Sequence, residues 1–495
     1  SKPARARSRE SSPAVKPQTS MPRTAKPGPV KPEGWRTEQR FAGSSSSSSG
    51  TRVTLSTSPG STTPTGEGSR EPPLDVSGQV RLLDRPLWGQ RELWMRGYTP
   101  HPPDPAIWQD VPYPPPPLAP PELRTDVVRS LITGARARGL AVEIQVSPYT
   151  LPGAPGGQTF TSGHGSGNAQ DRPRRVDGSV AERIVAGHGC LNNPRVRALG
   201  RARLREAVKH YPDVDGIFLD WTEYTCYFLE DGFTCFCEHC EAAASALGYD
   251  WSRIRQDTRA LWDRLHQLEL SDLHAVAAGD DGIWPLPGVA GLTEYPGVSD
   301  LLRFKADSVC AAAADLRQTL DAAGASGVAL GLNGFAPPWN VVTGLDYHRV
   351  HEVVQATRCK LFTFHWPMIV RWWSETLLAW NPGLDEGAVL RAVQAVLDVT
   401  PPPNEHRASL TDYGMPRPDE PHPVTMEALT RKLNQAIRQA GSASCLAYVH
   451  SYRPADEFGR VLEAVLASEA RGCWVQRYGY LSDQKLAIMR AVWPR

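Results

Sequence analysis

The sequence predicts an α/β fold: a (β/α)8 TIM barrel with long βα loops behind a disordered N-terminal tail. Three observations predict it. Short apolar runs alternate with amphipathic helical stretches from about residue 78 onward, the pattern of a parallel sheet with crossover helices. Seven such runs are followed by helix-like sequence, and eight of these units close a barrel. Each run ends in polar or aromatic residues while its interior stays apolar, as expected where βα loops gather functional groups at one face. An open doubly wound sheet is the competing arrangement, but no G-x-G-x-x-G follows the early strands.

The tail comes first. Residues 1–75 are rich in Ser, Pro, Thr, Arg and Lys, with an unbroken serine run at Ser44–Ser49. Such a segment buries too little apolar surface to offset its chain entropy, so it reads as disordered. The barrel domain is assigned to 76–495. Its strands are expected at Glu92–Tyr98, Ala141–Ser147, Val214–Asp220, Val328–Asn333, Lys360–His365, Ser444–His450 and Gly472–Arg477, with a weaker eighth near Gln79–Leu83. Helices are expected at Pro121–Arg138, Asn193–His210, Tyr249–Leu273, Ser299–Ala323, Tyr347–Thr357, Glu386–Leu397, Met426–Gln439 and Asp456–Ala470. Ser482 is placed as the N-cap of a last helix that ends at Val492.

Charge is balanced, 54 basic against 53 acidic residues, so composition argues for neither a nucleic-acid partner nor an anionic membrane. No run of 18 apolar residues is present, which predicts no transmembrane helix. The basic start leads into no apolar signal region, and the expected location is cytoplasmic; a leader removed from a longer precursor is compatible with the start at Ser1. Fifteen Trp and 14 Tyr suit the stacking of indole and phenol faces on sugar rings as well as core packing. The expected partner is a carbohydrate, with room left for a homo-oligomer.

The stretch DVDGIFLDWTEYTCYFLEDGFTCFCEHC (213–240) carries most of the chemistry. A buried strand delivers Asp220, then Trp221 and Glu223, to its carboxyl end. A carboxylate there is costly unless it is paired or faces a solvated pocket. Glycoside cleavage commonly needs two carboxyl groups, one to protonate the leaving oxygen and one to attack the anomeric carbon or activate water. Asp220 and Glu223 are therefore the candidate catalytic pair. The alternative for Asp220 is a turn cap or an ion pair with an arginine such as Arg96 or Arg477. Candidate substrate-binding residues at the strand ends are Arg96, Trp221, Asn333, His365, Trp366, His450, Tyr452 and Arg477. Imidazoles there can hydrogen-bond hydroxyls, and a guanidinium suits a carboxylate or hydroxyl pair.

Cys235-x-Cys237-x-x-Cys240 has a spacing suited to Zn2+, which favours four soft ligands in a tetrahedron. Cys190, at the end of the long preceding βα loop, is the expected fourth ligand, with His239 and Cys226 as alternatives. The ion would be structural, and no organic cofactor is expected. The remaining cysteines read as buried free thiols.

The segments DGIFLDW-x-E, GHGCLNNP, FTFHWPMIV and WVQRYGYLSD resemble glycoside hydrolases with a (β/α)8 barrel, over about residues 80–495. The cysteine arrangement is also similar to the zinc cluster of certain barrel β-galactosidases. The resemblance implies hydrolysis of a glycosidic bond in an oligosaccharide or glycoside. Those β-galactosidases carry an Asn-Glu pair at strand four and a second glutamate at strand seven; here Asp220 and His450 stand at those ends. That departure resembles hydrolases whose nucleophile is a strand-four aspartate. It also leaves a non-catalytic carbohydrate-binding barrel as the alternative.

Overall fold

The computed structural model describes residues 52–56, 81–85, 90–94, 99–119, 121, 124, 126–152, 169–180, 188–278, 294–399, 409–441, 444–476 and 480–493. All of them belong to the unit Gly50–Arg495. Its frame is one parallel sheet with the strands in chain order: β1 (Arg52–Ser56), β4 (Ala141–Val146), β5 (Gly216–Leu219), β6 (Ala329–Phe335), β7 (Ala356–Leu361), β8 (Cys445–His450) and β9 (Cys473–Gln476). A separate antiparallel pair is formed by β2 (Arg81–Arg85) and β3 (Gln90–Trp94).

The sheet curls. Neighbouring strands stand about 4.8 Å apart, so β4 and β7 would be roughly 14 Å apart if the sheet were flat. Yet Arg358 Nη2 of β7 donates to Glu143 Oε2 of β4 at 2.5 Å. The Tyr448 hydroxyl of β8 likewise reaches Gln145 Oε1 of β4 at 2.9 Å. Side chains from strands this far apart in the sheet can meet only on the inside of an arc. Among the described residues the arrangement is a curled α/β sheet of the barrel kind, and no eighth strand joins it there.

Helices connect the strands as the alternation predicts. Asn193 caps the Pro194–His210 crossover, its side chain accepting from Arg195 N, and Pro194 supplies the fixed φ of a first helical position. Ser482 caps the last helix by accepting from Lys485 N at 3.3 Å. The Pro296–Ala322 helix returns the chain to β6 and buries Leu301, Phe304, Val309, Leu316 and Leu320. None of the described helices is long and apolar enough to cross a membrane.

Four expectations are corrected. Of the strand expected at Glu92–Tyr98, residues 92–94 belong to a hairpin arm and the rest lies outside the described residues; the strand beside β4 is Arg52–Ser56. Five β-forming residues, RVTLS, are hidden by Ser/Gly-rich flanks when composition is averaged over a window. The strand expected at Lys360–His365 ends instead at Leu361, and His365 opens the unforeseen helix His365–Trp380. In β7 the residues that face the arc are Arg358 and Lys360, so the apolar run after them attracted the assignment. Tyr249–Leu273 divides into Trp251–Leu265 and Leu270–Ala278. Within Tyr347–Thr357 only a single turn, Arg349–Glu352, is helical.

The inside of the arc is polar and layered. At its base the Arg358 guanidinium pairs with Glu143 and lies 3.2 Å from the centroid of Phe218 and 3.8 Å from that of Trp474. Truncation at Arg358 strands a buried carboxylate. Arg358→Met should cost about 3–5 kcal/mol in denaturant unfolding, and Glu143→Leu added to it should recover much of that loss. The Phe218 ring needs Gly331 opposite: a Cβ there would meet Phe218 Cε1 at 2.3 Å. Gly331→Ala should therefore destabilise by about 1–3 kcal/mol in the same measurement.

Candidate active site

β5 is a four-residue strand, GIFL, buried throughout, and its next residue carries the first carboxylate of interest. The Asp220 amide donates to Val146 O at 2.9 Å and so continues the ladder with β4. Its Oδ2 accepts from Gln145 Nε2 at 3.0 Å, and its Oδ1 lies 3.0 Å from Lys360 Nζ. Gln145 is itself fixed, because its Oε1 accepts from Asn333 Nδ2 and from the Tyr448 hydroxyl, both at 2.9 Å. Four strands thus hold one carboxylate in a defined orientation. The Asp220 side chain keeps 12% of its surface exposed, so it is ion-paired without being sealed.

Glu223 stands behind it. Its side chain has no exposed surface and is held by Lys360 Nζ at 3.3 Å, Thr343 Oγ1 at 2.8 Å and the Phe335 amide at 3.4 Å. Burial raises its pKa, with the Lys360 charge and these hydrogen bonds opposing the rise only in part. Burial disfavours the Lys360 ammonium too, but Asp220 and Glu223 outweigh it and hold its pKa above the ordinary value. One ammonium therefore serves two carboxylates, with the rings of Trp221 and Phe335 centred 4.7 and 4.8 Å from its nitrogen. Glu223, the second member of the candidate catalytic pair, is turned toward Lys360.

Immediately after Asp220 the backbone turns sharply. Trp221 has φ +57°, one of two non-glycine residues among those described with positive φ. The left-handed region is unfavourable for a bulky L-residue, and such local strain gathers at functional sites. The turn sets the partly exposed indole above Lys360, 4.9 Å from the His188 ring and 5.9 Å from the Tyr227 ring. His188 is buried, and neither ring nitrogen has a hydrogen-bond partner among the described residues. Burial and then the Lys360 charge push its pKa down to about 3, so the imidazole is neutral with a lone pair available.

The other sequence candidates divide. Asn333 is fully buried and donates to Gln145 Oε1. His365 opens a helix rather than ending a strand; its Nδ1 lies 3.1 Å from the Tyr227 hydroxyl, and burial followed by Lys360 lowers its pKa to about 3. His450 ends β8 as expected, and its Nδ1 accepts from the Tyr452 amide at 3.0 Å. Tyr452 packs with Phe364 and Tyr480 in a small buried cluster. Trp366 is corrected: it is 2% exposed, 5.4 Å from the Trp339 ring, and belongs to the core. Helix periodicity after His365 turns it inward. Arg96 and Arg477 lie outside the described residues. Sequence reading did not single out Lys360, Gln145 as a ligand of Asp220, or His188. The polar alternation Arg358-x-Lys360 within a strand was the available signal for the first of these.

The cysteines form a separate centre. The Sγ atoms of Cys190, Cys235, Cys237 and Cys240 all lie within 4.8 Å of one another, and all four residues are buried. Cys190 Sγ is 3.5 Å from the sulfurs of both Cys237 and Cys240. Around a tetrahedral zinc with bonds of about 2.3 Å, sulfurs stand roughly 3.8 Å apart, so the donor set fits a soft divalent ion. The Arg174 amide points at Cys235 Sγ and Asn192 Nδ2 at Cys240 Sγ, each at 3.4 Å, as donors to thiolates would. Hydrogen bonding among the four thiols, with burial, pushes Cys190 well above its ordinary pKa. A pocket of this kind needs a cation before its sulfurs can all ionise. Cys226 lies elsewhere, its carbonyl accepting from Trp373 Nε1, and His239 sits 3.7 Å from Glu238.

No family model matches the chain, and no curated protein matches it. Among solved structures, it is similar to the PgaB (BpsB) glycoside hydrolase domain from Bordetella bronchiseptica, at 11% identity over 78% of this chain and 83% of that one, TM-score 0.42. It is similar also to the catalytic domain of β-amylase from Paenibacillus polymyxa, at 11% identity over 74% of this chain and 84% of that one, TM-score 0.38. A chitinase from Chromobacterium violaceum is a third, at 8% identity over 74% and 85%, TM-score 0.34.

Proposed function

We propose that this chain hydrolyses a glycosidic bond at the carboxyl end of its curled sheet, with Asp220 as the carboxylate that meets the anomeric carbon. The observation that carries the reading is the fixed orientation of Asp220. Gln145 and Lys360 hold its two oxygens while part of the side chain stays open to solvent. Preorganised charge of this kind stabilises an oxocarbenium-like transition state without reorganisation at the moment of reaction. Trp221 would stack on the sugar ring, and His188 would accept a hydrogen bond from a sugar hydroxyl at its unpartnered nitrogen.

Glu223 fits a positioning role better than that of proton donor, because it contacts Lys360, Thr343 and the Phe335 amide rather than solvent. Asn333, His365, His450 and Tyr452 would shape the wall behind the substrate, and Arg96 and Arg477 remain proposed hydroxyl ligands. The cysteine centre would hold a structural Zn2+ that clips the loop after β4 to the loop after β5, outside the reaction itself.

The burial of Glu223 favours a second reading, a barrel that binds carbohydrate without cleaving it. The two separate in one experiment: the full chain is incubated with a panel of oligosaccharides and chromogenic glycosides, with products followed by chromatography and binding by calorimetry. Released sugar supports the hydrolase. Binding heat with no product over long incubation supports the binding barrel, and neither signal across the panel removes the carbohydrate reading altogether.

A further inference from the structure

The segment 99–119 closes on itself and lies against the Pro194–His210 crossover helix. Its ends meet through main-chain bonds, Thr99 N to Pro117 O at 2.9 Å and Ala119 N to Thr99 O at 2.8 Å. Its grip is concentrated on the last turns of that helix. Glu206 Oε1 accepts from Trp108 Nε1 at 2.9 Å and from the Asp104 amide at 2.6 Å, and Lys209 Nζ meets Asp104 Oδ2. His101 lays its ring flat on that of His210, with centroids 3.4 Å apart and 13° between the planes. From this stack beside one carboxylate we infer that segment 99–119 is an acid-released strap, closed at neutral pH and freed when both imidazoles take a proton.

The geometry accommodates one proton and resists two. Glu206 Oε2 lies 3.0 Å from His210 Nε2, so a first imidazolium has a counter-charge. A second would set two positive rings face to face, and like charges at that range disfavour ionisation. Among the described residues Glu206 is the one carboxylate within ion-pair reach of either ring. The other charged groups nearby are engaged. Asp104 is paired with Lys209 and caps the helix Pro105–Trp108 by accepting from Ala106 N at 3.0 Å. Asp126, the N-cap of the helix Val127–Arg136, accepts from the Arg129 amide at 2.9 Å and from the Tyr211 hydroxyl at 3.3 Å. Arg129 donates to the His210 carbonyl and stands 5.7 Å from the Tyr211 ring, so it adds positive charge on that side.

Burial, followed by the His210 charge, lowers the His101 pKa below its ordinary value, with Glu206, Asp126 and the Pro102 backbone opposing in part. A free histidine titrates at about pH 6.5. Below that pH the released strap binds more protons than the closed one, so the closed form is lost as pH falls. One extra proton makes release up to about tenfold more frequent between about pH 7.5 and about pH 5.5. This window lies above the ordinary carboxylate range, which leaves the imidazoles to carry the change. Release would bare Trp108 and Tyr113, both buried in the closed form, and part Tyr113 from the Arg195 guanidinium 5.6 Å from its ring.

The test is amide hydrogen exchange of the full chain, read by mass spectrometry across that pH range with labelling times scaled to the intrinsic rate at each pH. The expected result is release of 99–119 that rises up to about tenfold on acidification, while the helix Pro296–Ala322 shows no such rise. His101→Phe and His210→Phe each keep a flat ring in the stack and leave a single imidazole. In both variants the segment should stay closed at neutral pH and follow the reference helix on acidification. The inference is overturned if the parent segment follows the reference helix, if both variants keep the parent's pH dependence, or if both are already open at neutral pH.

Discussion

Asp220→Asn should lower glycoside turnover by about 10²–10⁴-fold, the range associated with a positioned carboxyl group, while leaving the unfolding midpoint nearly unchanged. The stability half of this expectation follows from charge. In the parent chain one ammonium, Lys360, faces two carboxylates, Asp220 at 3.0 Å and Glu223 at 3.3 Å. Removal of the Asp220 charge leaves a balanced Lys360–Glu223 pair, and the asparagine amide can still bond to Gln145. Lys360→Met behaves in the opposite way. It strands two buried carboxylates without a counter-ion and should cost about 3–5 kcal/mol in urea unfolding. Glu223→Gln should fall between them in stability and reduce turnover less than Asp220→Asn, since it acts through Lys360. Kinetics and denaturation on the three variants test the order. Full activity in a folded Asp220→Asn chain would sink the assignment of Asp220.

Removal of metal from the cysteine centre should bring the largest loss of stability. Apparent binding energies of structural zinc reach about 10–16 kcal/mol in small zinc domains at neutral pH, and a chain with its own large core should lose a part of that. Cys237→Ser, or chelation of the parent chain, should therefore lower the melting temperature and raise protease sensitivity in the segments 188–193 and 225–240. Cys190 and the Cys235–Cys240 trio face each other across these two segments, and none of the nine cysteines forms a disulfide. The check is calorimetry together with metal analysis. A zinc-free chain with an unchanged melting temperature would show that the four thiols pack without an ion. Hydrolysis that persists at low temperature in the zinc-free chain is also expected, because the centre contributes no group to Asp220.

The parts of this fold that were readable are those where physics is local. Apolar strands that end in a polar residue, such as GIFL before Asp220 or CLAYVH with His450 at its end, declare themselves, and so do N-caps such as Ser482. The thiol spacing picked out Cys235, Cys237 and Cys240 within one short segment, while Cys190 was expected from its place at the end of the preceding loop, with His239 and Cys226 as alternatives. What stayed hidden is non-local. Lys360 looks like a surface residue until the sheet curls and brings Asp220 and Glu223 against it. Gln145 acquires its role only when Asn333 and Tyr448 arrive from other strands. His188 sits among glycines and cysteine in GHGC, and nothing in that tetrapeptide says that Trp221 will cover it. The polar interior also shifted β7 out of the apolar run, which is why His365 was read at a strand end.

The strand Arg52–Ser56 has a practical consequence. It pairs in register with Arg52 opposite Ala141 and Ser56 opposite Gln145. Expression of a trimmed protein that begins at residue 76 would leave the outer rim of Ala141–Val146 with bare amide and carbonyl groups, an adhesive seam to which another molecule's backbone can attach. Shortened versions of this protein should therefore clump where versions that begin before Arg52 stay dispersed.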